Sequence, residues 1–140
     1  MIPTPDMLPD PSGPNSPHWQ SALRGELVVQ RCVHCGALRF PAAPLCAACN
    51  RTGHDWQAVR PTGRIRSWCR FHRGYFPGAK EQLPYTVLLV ELDDGLCLYS
   101  NPAEEYPLGT QPAIGQAVSA VFQKVSDNIA LVRFAPLPPA

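Results

Sequence analysis

Charge is scarce in this sequence. Of its 140 residues 16% are Asp, Glu, Lys or Arg, lysine occurs only at Lys80 and Lys124, and the formal net charge is +1. A chain so nearly neutral generates no global field toward nucleic acid or anionic lipid. Long apolar runs are missing too: none approaches the roughly eighteen residues of a membrane span, so no membrane association is expected. The first seventeen residues hold neither a basic segment nor an apolar core, which excludes a signal or transit peptide and predicts a cytoplasmic protein. Phosphate loops, G-x-S-x-G elbows and H-E-x-x-H pairs are all lacking, and the four histidines (His18, His34, His54, His72) are scattered.

What the chain has instead is two matched cysteine pairs, Cys32-Val33-His34-Cys35 and Cys46-Ala47-Ala48-Cys49, separated by the ten residues Gly36–Leu45. Each pair can wrap its backbone round a metal, and together they supply four thiolates for a closed tetrahedral site. The spacing predicts a zinc ribbon, although spacing alone does not choose zinc over iron. A disulfide framework needs an oxidising compartment that nothing else here indicates. A redox dithiol would open a helix, whereas these pairs run into the turn residues Gly36 and Asn50. His34 is expected to face solvent. Zinc binding to such a site contributes about 10–16 kcal/mol, enough to fold a ribbon too small to bury a core, so removing the metal should unfold it.

At 140 residues the chain suits one domain or two small ones. Six prolines (Pro3, Pro5, Pro9, Pro11, Pro14, Pro17) predict an extended, disordered arm over residues 1–15. Ser16-Pro17 reads as N-cap and first helical position of a short helix through Leu23, stopped at Gly25, with Trp19, Ala22 and Leu23 on one apolar face. Helix and ribbon occupy 16–60, with strands at Glu26–Arg31 and Leu38–Pro41; Pro61-Thr62-Gly63 marks the boundary. Beyond it the pattern is all β: Arg64–Phe76, Tyr85–Leu92, Leu96–Asn101, Ala117–Lys124 and Ile129–Phe134. Five strands in a meander, with a long connection at Pro102–Gly115, predict an OB-fold over 61–135, followed by a tail at 136–140. The fold class is therefore mainly β: a short helix and a rubredoxin-like zinc ribbon, then a five-stranded OB-fold barrel.

The first barrel strand alternates Arg64, Arg66, Trp68, Arg70 and His72 with Ile65, Ser67, Cys69 and Phe71. The first set gathers cations round an aromatic ring, suited to an anionic, aromatic ligand; the second is expected to be core. Five arginines and no acid lie between Arg60 and Arg73, while residues 81–105 hold six acids and no lysine or arginine, so the same charges could instead pair across the sheet. The loop Gly74–Pro84, with Tyr75 and Phe76, is long for a hairpin and is expected to order against a ligand or partner. Trp19 and Leu23 are candidate partner contacts. Cys69 and Cys97 are expected as buried small hydrophobes.

The order of these motifs resembles the acyl-CoA-associated zinc-ribbon/OB-fold family, long catalogued as a domain of unknown function. The resemblance rests on Leu27–Gly36 (LVVQRCVHCG), Arg39-Phe40-Pro41, Pro44–Cys49 (PLCAAC), Pro84-Tyr85 and Val90-Glu91-Leu92, and covers roughly residues 16–135. Ala42-Ala43 departs from it, because members often carry a further proline and a basic residue there. It implies a non-catalytic auxiliary subunit of a thiolase-like enzyme. Members bridge acetyl-CoA acetyltransferase and hydroxymethylglutaryl-CoA synthase in archaea, partner a thiolase-like aldolase, or accompany an enoyl-CoA hydratase in bacterial steroid side-chain breakdown. Carried onto this chain, it implies structural zinc on Cys32, Cys35, Cys46 and Cys49. It also implies acyl-CoA contacts from Arg64, Arg66, Trp68, Arg70, His72, Tyr75 and Phe76, and a partner interface that includes Tyr85. The alternative is a single-stranded nucleic-acid-binding ribbon/OB protein, against which near-neutral charge and two lysines weigh.

Overall fold

A computed structural model describes residue 3 and residues 5–138. The expected arm and tail fall partly on residues 1, 2, 4, 139 and 140, outside the described residues. Pro5–Met7 forms one 3-10 turn, and Ser12 donates both its N–H (2.9 Å) and its hydroxyl (2.6 Å) to the Asp10 carboxylate.

Helix α1 spans Ser16–Leu23 and its N-cap is Asn15, one residue earlier than the sequence predicts. Asn15 makes no side-chain cap; its Oδ1 instead accepts the Ala42 N–H at 3.1 Å and ties the helix start to the ribbon loop. Gly25, at φ 76°, ends the helix as expected. His18, Ser21 and Ala22 point inward, whereas Trp19 is half-buried and Leu23 is 40% exposed. Small Ser21 and Ala22 let the helix lie close on its neighbours. The His18 ring can be buried because Nδ1 donates to the Val28 carbonyl at 3.0 Å, while Ser21 Oγ donates to the His18 carbonyl.

The ribbon is a three-stranded antiparallel sheet, β1 Val28–Cys32, β2 Leu38–Arg39 and β3 His54–Ala58, in the order β2-β1-β3. The barrel follows as β4 Thr62–Phe71, β5 Tyr85–Leu92, β6 Cys97–Ser100, β7 Ala117–Ser126 and β8 Ile129–Pro136, in the order β6-β5-β4-β7-β8. This is not a simple meander, because β7 returns to pair with β4 at Thr62–Arg64. The sheet curls, and its open seam between β6 and β8 is narrowed by the connection. There Pro102 bridges Phe134, the Ala103 N–H donates to the Phe134 carbonyl at 2.8 Å, and Ser100 Oγ donates to the Val132 carbonyl at 2.6 Å. Gly63 is demanded where β4 runs between β5 and β7: a Cβ there would lie 2.9 Å from the Leu92 Cα and overlap the Glu91 carbonyl.

One core serves both parts. Leu27, Val29 and Val59 of the ribbon cluster with Ile65, Leu88, Val90, Leu98, Val118 and Phe134 of the barrel. The ribbon thus packs on the barrel through buried aliphatic side chains as well as through the chain connection.

The alternation predicted for the first barrel strand is corrected by a β-bulge. The register with β5 shifts between Ile65 and Ser67, leaving Arg66 as the extra residue. Past it the faces exchange: Trp68 packs against the core and Cys69 turns out to solvent. Cys97, opposite Glu91, is also exposed, so neither single cysteine is a core residue. The strand ends at Phe71, five residues short of the expected Phe76.

Candidate metal centre and ligand-facing surfaces

Each cysteine pair is closed by a residue of positive φ, Gly36 at 74° and Asn50 at 59°. That left-handed step lets the Gly36 N–H return to the Cys32 carbonyl (3.0 Å) and the Asn50 N–H to the Cys46 carbonyl (2.8 Å), two equivalent knuckles. The four Sγ atoms lie within 4.8 Å of one another, with Cys32 and Cys49 at 3.6 Å and Cys35 and Cys46 at 3.5 Å. Zinc–thiolate bonds of about 2.3 Å set tetrahedral sulfur–sulfur edges near 3.8 Å, so the cage fits the ion. Its electrostatics also call for a cation. N–H groups of Cys35 and His34 aimed at Cys32 hold that thiol down to about 6, and N–H groups of Cys49 and Ala48 lower Cys46. Cys49 is pushed up to about 11: the Arg51 N–H draws it down, but desolvation and the neighbouring thiols outweigh it. Four crowded sulfurs cannot all ionise without a divalent ion among them. This is a structural zinc site, and its four thiolates leave no open coordination position. His34 stays outside it, exposed, with Nε2 against the Thr52 carbonyl at 3.0 Å.

The residues expected to form one basic aromatic face are dispersed by the bulge into three places. Arg64 is exposed and donates to the Gly115 carbonyl at 2.9 Å, and Arg66 is paired with Glu91 across the sheet. Trp68 and Arg70 lie on the other side, the Arg70 guanidinium 5.9 Å from the Trp68 ring and its Nε 3.3 Å from Thr86 Oγ1. The buried Thr86 in turn donates its N–H (2.9 Å) and its hydroxyl to the Glu105 carboxylate, while Asn101 Nδ2 donates to the Thr86 carbonyl at 2.7 Å. Glu105 and Asn101 therefore satisfy β5 where β6 has ended. His72 follows the strand end, exposed, with Tyr75 (70% exposed) and Phe76 beyond it, and Arg73 stands 5.8 Å over the Tyr75 ring.

The 74–84 loop orders within the chain itself. Phe71 stacks on Tyr85 at 5.0 Å, meets Tyr75 edge-on at 6.2 Å, and Ala79 is fully buried. Tyr85, expected at a partner interface, is consequently a 6% exposed packing residue. Sequence reasoning also missed Arg133. It is 3% exposed in an apolar strand, its guanidinium lowered by burial and supported by the charge of Glu105. A single arginine between Val132 and Phe134 gave no signal of this.

Residues 19–55 match the family model described as ChsH2, rubredoxin-like zinc ribbon domain, and residues 56–123 that described as ChsH2, C-terminal OB-fold domain. A probable enoyl-CoA hydratase alpha subunit of Thermomonospora curvata is 36% identical over 85 residues, 59% of this chain; the match spans 25% of that relative's length. A DUF35 domain-containing scaffold protein of Methanothermobacter thermautotrophicus is 30% identical over 75% of this chain and 77% of its own length. Among solved structures, the Ltp2-ChsH2(DUF35) aldolase superposes with a TM-score of 0.72 at 29% identity, covering 92% of this chain and 98% of that one. A DUF35-family protein of Sulfolobus solfataricus shares the fold, with a TM-score of 0.52 at 16% identity.

Proposed function

Because this chain belongs to the ChsH2/DUF35 family of zinc-ribbon and OB-fold proteins, we propose that it is a non-catalytic auxiliary subunit. It binds a thiolase-superfamily enzyme, a thiolase or thiolase-like aldolase, and helps form that enzyme's acyl-CoA site in lipid or steroid side-chain breakdown. The observation that carries this reading is the likeness, along almost the whole of both chains, to the ChsH2(DUF35) part of an aldolase that also contains Ltp2. The scaffold designation of the archaeal relative agrees with it. The hydratase-subunit name belongs to a protein of which this chain spans a quarter, which fits a shared accessory module.

The chemistry is consistent. Zinc enclosed by four thiolates cannot receive a thioester carbonyl, so the metal shapes the ribbon and the reacting groups come from the partner. A small barrel laid over another protein's pocket contributes position and water exclusion. For the coenzyme contact we assign the exposed strand-end group His72, Arg73, Tyr75 and Phe76, which offers rings and cations to an adenine and phosphates. Trp19 and Leu23, on the outer side of α1, are assigned to the partner.

Co-expression with a thiolase-like enzyme tests the assignment. Co-elution as a stable complex, with the enzyme more soluble and faster than alone, is the expected result. Elution as separate proteins with the enzyme's solubility and rate unchanged would overturn it. Within the complex, joint Arg73→Ala and Tyr75→Ala substitution should weaken acyl-CoA binding about ten-fold with assembly intact.

A further inference from the structure

Among the described residues strand β3 has a neighbour on one side only. The Cys32 N–H bonds the Ala37 carbonyl and Gln30 lies opposite Arg39, so the even positions of β1 face β2. The Val59 N–H bonds the Leu27 carbonyl and the Val33 N–H the Gly53 carbonyl, so the odd positions face β3. Along β3, Asp55 and Gln57 accordingly turn their main chain inward to β1, while His54, Trp56 and Ala58 turn theirs outward. Those outward N–H and C=O groups meet no partner among the described residues, and His54 and Ala58 are exposed. Free edges are usually blunted by proline, lysine or a bulge. This one has none of these and keeps an unbroken register of five residues.

The surroundings of the edge narrow what could occupy it. Its start lies beside Gly53, against which Val33 (52% exposed) packs, and beside the bridge from Thr52 to Leu45 (49% exposed), so apolar knuckle tips adjoin it. Arg51 and Arg60 are exposed at its two ends and form no ion pair among the described residues, with Asp55 the only acid between 51 and 60 and the Asp94 carboxylate accepting the Arg60 N–H. We propose that this edge takes up an extended segment of the partner enzyme, bearing acidic side chains, as a fourth strand of the ribbon sheet; the proposal rests on the auxiliary-subunit reading above. Main-chain bonds would give the affinity and the arginines the preference for acidic residues. A second copy of this chain fits less well. Pairing two five-residue strands falls well short of the roughly 1,000 Å² of a stable interface, and it would bring two basic ribbons together.

The test compares the complex of the full chain and its thiolase-like partner with the same complex carrying Ala58→Pro. That substitution removes one outward N–H and spares the bonds of Gln57 and Val59 to β1. The expected result is at least a ten-fold loss of affinity for the partner. In the wild-type complex, amide exchange at His54, Trp56 and Ala58 should slow at least ten-fold while Asp55 and Gln57 stay as in the free chain; this readout stands even if the variant fails to fold. Unchanged exchange at the three outward amides overturns the inference and leaves the auxiliary role standing. Failure of the wild-type pair to associate overturns both. Sedimentation of the chain alone should give a monomer, and a dimer abolished by Ala58→Pro would assign the edge to a second copy instead.

Discussion

The ribbon and the barrel solve the same problem, how to hold a β-sheet in a small volume, with different materials. The ribbon orders twenty residues between Cys32 and Arg51 round four sulfurs, and Cys32 and Cys46 are its buried hydrophobic side chains in that stretch. The barrel has no such cage among the described residues and closes over Ile65, Leu88, Val90, Leu92 and Phe134, each no more than 1% exposed. The contrast teaches that metal and core are interchangeable as sources of order but differ in what destroys them. Leu27, Val29 and Val59 join the two from outside the 32–51 stretch.

The largest expected effect comes from the metal. Chelation should remove about 10–16 kcal/mol of ribbon stabilisation and unfold residues 32–51, with Cys46→Ser weakening zinc in the same direction. Circular dichroism and amide exchange would show it, with the amides of Leu88 and Val90 still protected. Protection lost together throughout would show one cooperative unit instead. Next, Phe134→Ala should cost the barrel about 4 kcal/mol in denaturant unfolding, with one bound zinc per chain preserved in metal analysis. Gly63→Ala should follow at about 2–3 kcal/mol, because the atoms it overlaps are β5 backbone, at Glu91 and Leu92, which cannot swing aside.

The smallest effect is a pH dependence at the joint between the parts. Burial holds His18 below the usual histidine value, with the Val28 carbonyl only partly opposing it. Below about pH 6.5 the unfolded chain therefore binds a proton that the folded chain resists. The contribution is fully present above that value and is lost as pH falls toward the depressed folded value. Comparing thermal midpoints of wild type and His18→Gln between about pH 5.5 and 7.5 separates this slope from thiolate protonation, which both proteins share.

Much of this was legible in the sequence because spacing and turn chemistry are local. The cysteine pairs with Gly36 and Asn50 announced the knuckles, and Asp93-Asp94-Gly95 and Ser126-Asp127-Asn128 marked turns that the structure contains. Tyr85–Leu92 was read with its observed ends. What failed was non-local. No residue near Arg66 signals a bulge, yet that one extra residue inverts every later side chain of β4, sending Trp68 inward and Cys69 out. The aromatic packing that buries Tyr85 depends on a loop folding back on Phe71. The buried side of α1 carries His18 and Ser21, which hydrophobicity does not mark, because close approach and a waiting carbonyl decide it.

The proposed role of the closed zinc ribbon and its barrel is to assist another enzyme's chemistry. The most direct measurement is acyl-CoA turnover by the zinc-loaded chain alone, by the thiolase-like partner alone, and by the two together. The isolated chain should show no turnover, and the mixture should run faster than the partner alone. Turnover of acyl-CoA by the isolated, zinc-loaded chain would contradict that role.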